Sequence, residues 1–149
     1  MPLVVKVEDP RAIIPKKAYP GDAGYDLFPL ESFTIAPGAR ATINTGLIIA
    51  ITPGYYGRIS SRSSNSKRGV EVVAGTVDAG YRGLVHVVLQ NNSSEHQVFS
   101  DDQAMAQIVI TKIEEDDGVV VVDELPPTKR GEQGFGSSNT KKQKIEVQK

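Results

Sequence analysis

The nine residues GTVDAGYRG, Gly75 to Gly83, place an aspartate, a tyrosine, an arginine and three glycines between two valine-rich runs. Outward from this stretch the valine-rich texture continues in both directions: LVVKV (3–7), FTIAPG (33–38), ATINTGLIIAIT (41–52), YYGRIS (55–60), VEVVAGTV (70–77), GLVHVVLQ (83–90), AQIVITKI (106–113) and GVVVVDEL (118–125). Short β-branched runs separated by glycine, proline or polar residues read as strands joined by turns. No window carries an i, i+3, i+4, i+7 apolar stripe over three turns, so the chain reads as all-β, a barrel or a sandwich.

The 149 residues suffice for one sizeable core. From Pro126 the composition changes to PPTKRGEQGFGSSNTKKQKIEVQK, with Phe135, Ile145 and Val147 its only large apolar residues. Such a segment buries too little surface to offset its chain entropy. The expected organisation is a β domain over 1–125 and a mobile C-terminal arm over 126–149. EEDDG (114–118) reads as a solvated turn between strands.

Seventeen Lys and Arg against eighteen Asp and Glu leave a net charge of −1. The overall field therefore attracts neither nucleic acid nor an anionic membrane, and any phosphate site must be local. There is no cysteine, and His86 and His96 alone cannot assemble a structural zinc site. Neither a signal-type N-terminus nor a membrane-length apolar stretch is present, so an intracellular location (cytoplasmic or nuclear) is expected. The sequons at Asn91 and Asn92 are then incidental.

Four features carry chemistry. GRISSRSSNSKRG (57–69) concentrates basic residues and serines; either it is a solvated loop, or Arg62 forks onto an anion while Ser63, Ser64 and their amides add neutral donors. Asp26 and Asp78 lie among glycines and aromatics. Each caps its own turn, or the two flank a phosphorylated ligand, one positioning metal-bound water and the other activating a nucleophilic water. Tyr81 and Phe135 are core residues or stacking surfaces, and Phe135 in the arm is an incidental apolar residue or part of a lid. GEQGFGSS is no phosphate loop of the G-x4-G-K-[ST] kind, because Ser137 stands at the lysine position. Arg130, Ser137, Ser138 and glycine amides such as that of Gly136 could still wrap a polyphosphate. His86 alternates with Val85 and Val87 and reads as an outward or satisfied strand residue.

Taken in order, AGYDLF, GRISSRSS, GTVDAGYRGLVHVVLQN, MAQIVI and RGEQGFGSS resemble the five motifs of the trimeric dUTPase family, the dUTP pyrophosphatases. The resemblance covers about Ala23 to Ser138. The second motif departs from the family's Ala-Pro-Arg-Ser-Gly, reading Ser60-Ser61-Arg62-Ser63-Ser64. The fourth departs from Gly-Asp-Arg-Ile-Ala-Gln, reading Asp102-Gln103-Ala104-Met105-Ala106-Gln107.

The resemblance implies a jelly-roll-like β-barrel subunit in a homotrimer with sites at subunit contacts. It implies hydrolysis of dUTP to dUMP and pyrophosphate with Mg2+, which limits uracil incorporation into DNA and supplies dUMP. No membrane or direct nucleic-acid partner is implied. In this reading GTVDAGYRG closes a tight β-hairpin around uracil, with Gly75 allowing close approach of the ring. Tyr81 excludes a 2′-hydroxyl, and Asp78 is the general base for water attacking the α-phosphorus. Arg62, Ser63 and the Ser64 amide hold phosphate oxygens. Gln107 and Asp26 contact phosphate or metal-bound water, and the ion is held chiefly by the phosphates and water. Phe135 stacks on uracil, while Arg130, Gly136, Ser137 and Ser138 close over the γ-phosphate. The alternatives are a dCTP deaminase-like enzyme, which would need a glutamate where this chain has Val88, and a non-catalytic β-scaffold. The basic terminus KKQKIEVQK reads as a solvated tail.

Overall fold

Strand formation begins where β-branched residues alternate with polar ones. In β9 (His86–Asn91) the burial pattern alternates residue by residue, and Val87, Leu89 and Asn91 point inward. Antiparallel partners flank it: β4 (Arg40–Asn44), with Ile43 opposite Val87, and β7 (Val70–Ala74), with Val72 opposite Leu89. The β7 register slips between Val72 and Ala74, leaving Val73 as an extra residue in a bulge. The computed structural model of the chain describes residues 3–115, 118–136 and 138.

A second sheet has the order β2 (Gly24–Leu27), β11 (Ala106–Lys112), β6 (Tyr55–Ser60) and β8 (Thr76–Val77). Two strand pairs complete the framework, β1 (Val4–Val7) with β5 (Leu47–Ala50) and β3 (Phe33–Ile35) with β10 (Gln97–Phe99). Every described pairing is antiparallel, and the arrangement is the all-β, jelly-roll-like one expected. The core gathers inward residues from these sheets, among them Leu27, Ile49, Val87, Leu89, Phe99 and Ile108. Phe33 and Phe99 face each other across β3 and β10 with parallel rings 4.8 Å apart.

Buried polar groups here are bonded, as low-dielectric burial demands. Asn91 donates to the carbonyls of Ile35 (2.9 Å) and Glu95 (2.8 Å), and its Oδ1 accepts from Ser93 N (2.9 Å) and Ser93 Oγ (2.7 Å). Asn91 is therefore no glycan acceptor in the folded chain. The Thr45 hydroxyl donates to Val85 O at 2.7 Å.

Three expectations are corrected. The stretch 75–83 does not close a tight hairpin. Strands β7 and β9 do pair, but the chain between them first crosses to the other sheet as β8 and pairs with β6, Val77 opposite Gly57. The serine-rich segment contains a short helix, α1 (Ser63–Lys67), whose one buried residue is Asn65; no apolar stripe could have announced it. The run Val119–Val122 is not a strand: Val119, Val120 and Val121 are 92 %, 84 % and 91 % exposed. β-Propensity expresses fit to a half-buried pleated surface, and this run has no partner strand among the described residues of its unit.

The chain divides into units 1–115 and 116–149. The described part of the second, which includes all described residues of the 126–149 arm, has turns but no helix or strand. Asp116 and Asp117 of the EEDDG stretch lie outside the described residues. Among the described residues no helix is long and apolar enough to cross a membrane.

Candidate active site

Strands β2, β11 and β6 lie side by side, so Gln107 is the cross-strand neighbour of both Asp26 and Ser60. Chain register therefore brings the first, second and fourth candidate segments to one place. They line a cleft of about 280 Å3 whose polar residues are Asp22, Asp26, Arg62, Ser63, Ser64 and Gln107. Arg62 Nε stands 3.0 Å from Asp26 Oδ1, both side chains mostly covered. Arg62 Nη1 reaches the Ala104 carbonyl at 3.5 Å. Gln107 Nε2 donates to Ser61 O at 3.1 Å. Gly24 leaves room for this glutamine: a Cβ there would lie 2.4 Å from Gln107 Oε1.

The arrangement is a cation held by a carboxylate, two exposed hydroxyls at the start of α1 and an amide side chain. Such a set suits an anion with several oxygens. Asp22 was not singled out in the sequence. Its Oδ2 accepts from Tyr19 N at 2.9 Å, and the only prior signal was its place in the PGD turn.

A second cleft, about 230 Å3, is lined by Gly75, Asp78, Tyr81, His86 and Val88, together with aliphatic residues. Asp78 is exposed just beyond β8, and Tyr81 N closes a turn onto Asp78 O at 3.1 Å. The Tyr81 hydroxyl donates to Leu84 O at 3.0 Å, and the ring lies over Gly83, where a Cβ would fall 2.3 Å from that hydroxyl. Tyr81 is thus a wall fixed at both ends and 46 % exposed. Arg82 stiffens the turn by donating to Ala79 O (2.7 Å) and Tyr81 O (2.9 Å).

Gly75 meets β6 rather than open space. A Cβ would sit 2.3 Å from Ile59 O, and Ile59 N donates to Gly75 O at 2.7 Å. His86, missed as a site residue because strand alternation explained it, shares the Leu84 carbonyl with Tyr81, its Nδ1 lying 3.1 Å away. A carbonyl only accepts, so that contact places the proton on Nδ1.

The two clefts have no lining residue in common. The remaining candidates belong to the second unit. Arg130 Nε donates to Gln133 O at 2.8 Å, and Gly131 N donates to Thr128 Oγ1 at 3.1 Å. Phe135 is fully exposed at φ 46° and is followed by Gly136 at φ 95°. Ser138 lies in a turn, and Ser137 lies outside the described residues. Among the described residues no group of three or more His, Cys, Asp or Glu could hold a metal ion.

The dUTPase family model matches residues 10–139. The deoxyuridine 5'-triphosphate nucleotidohydrolase of Thermobifida fusca is 45 % identical over 134 residues, covering 87 % of this chain and 74 % of that protein. The enzyme of the same name from Saccharomyces cerevisiae is 35 % identical, covering 91 % and 93 %. Among solved structures, a Staphylococcus bacteriophage 80alpha dUTPase mutant with dUpNHpp superposes with a TM-score of 0.81 at 27 % identity, over 93 % of this chain and 99 % of that one. A dUTPase mutant from phage phi11 of S. aureus, described with a structural Mg(II) ion, gives 0.78 at 25 % identity, over 85 % and 100 %. With its five ordered motifs, its jelly-roll-like sheets and this match along most of its length, the chain belongs to the dUTPase family.

Proposed function

We propose that the protein hydrolyses dUTP to dUMP and pyrophosphate, removing a precursor of uracil in DNA and supplying dUMP. The observation that carries this reading is the presence of two unlike clefts: one rich in oxyanion donors, the other a slot with an exposed carboxylate and a clamped tyrosine.

In the slot, backbone groups of 75–77 and 84–86 read uracil's O4 acceptor and N3–H donor. Cytosine presents the reverse pattern and would leave buried groups unpaired. Tyr81 packs against the sugar and leaves no room for a 2′-hydroxyl. Val88 offers no group to shuttle protons at a cytosine ring, which weighs against deamination. Asp78 accepts a proton from a water as that water's oxygen bonds to the α-phosphorus. The bond from that phosphorus to the α,β-bridging oxygen breaks in line, and pyrophosphate departs.

Arg62, Ser63, the Ser64 amide and Gln107 hold the phosphate oxygens. The Asp26 carboxylate keeps Arg62 aimed across the cleft and has lone pairs left for water. The oxygen donors of Asp22 and Asp26 fit a hard cation through its waters, and Mg2+ supplies charge neutralisation of the triphosphate when bound. The family resemblance favours a homotrimer with sites at subunit contacts, in which the slot of one copy would face the oxyanion cleft of another. The arm, 126–149, then acts as a lid: Phe135 stacks on the base, and Arg130, Gly136, Ser137 and Ser138 close over the γ-phosphate, excluding water. A nucleotide substrate fits a location inside the cell.

The test is pyrophosphate release from dUTP, dCTP, dTTP and UTP with Mg2+, with ammonia followed in parallel. Release from dUTP alone is expected. Ammonia from dCTP, or no turnover of any of the four, would overturn the reading.

A further inference from the structure

Asn65 is the third residue of α1 and is 2 % exposed. Its Nδ2 donates to the carbonyls of Ala104 (3.3 Å) and Met105 (3.2 Å), and its Oδ1 accepts from Arg68 Nη2 (3.3 Å). Arg68 is itself fixed from Nη1 onto Gln97 Oε1 (3.3 Å) and Val98 O (3.2 Å), with its guanidinium 4.1 Å over the Phe99 ring. A five-residue helix is too short to hold its own shape in water, and no side chain caps its N-terminus. Its orientation must come from what anchors it, and Asn65 is its one buried residue.

The anchored segments are functional on both sides. Arg62, Ser63 and Ser64 immediately precede Asn65, and Gln107 follows Met105 by two residues. Arg62 and Asn65 meet at the same Ala104 carbonyl. These are also the two segments that depart from the family pattern, one with Ser64 in place of glycine and the other lacking a charged pair at 103–104.

We propose that Asn65 is a positioning residue for triphosphate recognition: its clamp on the 104–105 carbonyls sets the spacing between the Arg62–Ser64 donors and Gln107. The inference rests on the dUTP reading above. The clamp uses neutral hydrogen bonds, in a stretch with no charges of its own to fix it, and it touches no residue of the Asp78 cleft.

Asn65→Asp keeps the side-chain shape and removes both Nδ2 donors; Asn65→Leu removes every polar contact. The experiment is steady-state pyrophosphate release by the full-length protein with dUTP and with dCTP, alongside thermal melting. Turnover of dUTP by the unsubstituted protein tests the function; the variant-to-parent ratio tests the clamp. Displaced hydrogen-bond geometry is expected to raise KM for dUTP about tenfold while kcat stays within about threefold, and to leave the preference for dUTP over dCTP unchanged. A purely structural role would instead lower the melting temperature and the active fraction together. An unchanged KM in the folded variant would overturn the proposal. Should Asn65→Leu fail to fold, Arg68→Met removes the donor to Oδ1 from a partly exposed position and is expected to raise KM about threefold. No rise in KM in either folded variant, Asn65→Asp or Arg68→Met, would equally refute it.

Discussion

Replacing Gly83 with alanine should loosen the choice between dUTP and UTP. The backbone at Gly83 is not in the left-handed region, so alanine brings no φ strain, and its effect is confined to what the methyl meets. That Cβ would lie 2.3 Å from the Tyr81 hydroxyl oxygen, 2.5 Å from Cζ and 2.9 Å from Cε2. Ordinary contact begins near 3.4 Å, so the ring must retreat by about 1 Å. The hydroxyl then leaves Leu84 O, a bond worth ~1 kcal/mol net. A displacement of about 1 Å at a positioning group costs up to 10²-fold in rate, so kcat/KM for dUTP should fall ten- to a hundredfold. UTP, excluded by the unmoved ring, should fall less or rise, narrowing the dUTP to UTP ratio by about tenfold. The assay is kcat/KM for both nucleotides in the parent, Gly83→Ala and Tyr81→Phe. The phenylalanine removes the Leu84 bond without pushing the ring, so it should keep most of the discrimination. A folded Gly83→Ala protein with the parental ratio would refute the assignment of Tyr81 as the sugar wall.

Three further outcomes are expected. Asp78→Asn should lower kcat by about 10²–10⁴-fold in steady-state turnover, the cost of losing a positioned general base; near-normal turnover removes Asp78 from that role. Truncation before Arg130 should leave the melting temperature of the β domain nearly unchanged, since the core residues all lie before Ile113, but should cut kcat/KM; equal kcat/KM in the two forms would end the lid model. Asp9 accepts from Arg11 through side chain and backbone, which lowers its pKa to about 2. Its folded pKa lies below the unfolded value, so its stabilising effect is present above the ordinary carboxylate range and vanishes as pH falls toward 2. Parent and Asp9→Asn melting temperatures should therefore differ at neutral pH and converge in acid; a constant offset across the range would contradict this.

Strand alternation was readable wherever one face of a strand is buried, as in β9, because period-two burial imprints itself on the sequence. Pairing was not. Nothing in GTV distinguishes a strand continuing β7 from one that crosses to β6, since that depends on the close approach of Gly75 to the Ile59 carbonyl, a contact between residues distant in sequence. The helix α1 was hidden because its one inward residue is polar. Val119–Val122 shows the opposite failure, with strong propensity and no partner strand among the described residues of its unit. Arg62, Ser63 and Asp26 were legible as candidates from residue type and Gln107 by resemblance, but their meeting follows from the register of β11 against both β2 and β6.

Strand β6 lies between the two clefts. Ile59 lines the slot and donates to Gly75, and the chain only two residues further on turns through Ser61 into Arg62. The same stretch of chain thus serves both clefts, Ile59 near the end of β6 lining the slot and Arg62 just beyond it lining the oxyanion cleft. From one lining residue to the other the chain advances about three residues, about 10 Å at full extension, so a shift of the backbone at one cleft cannot leave the other untouched.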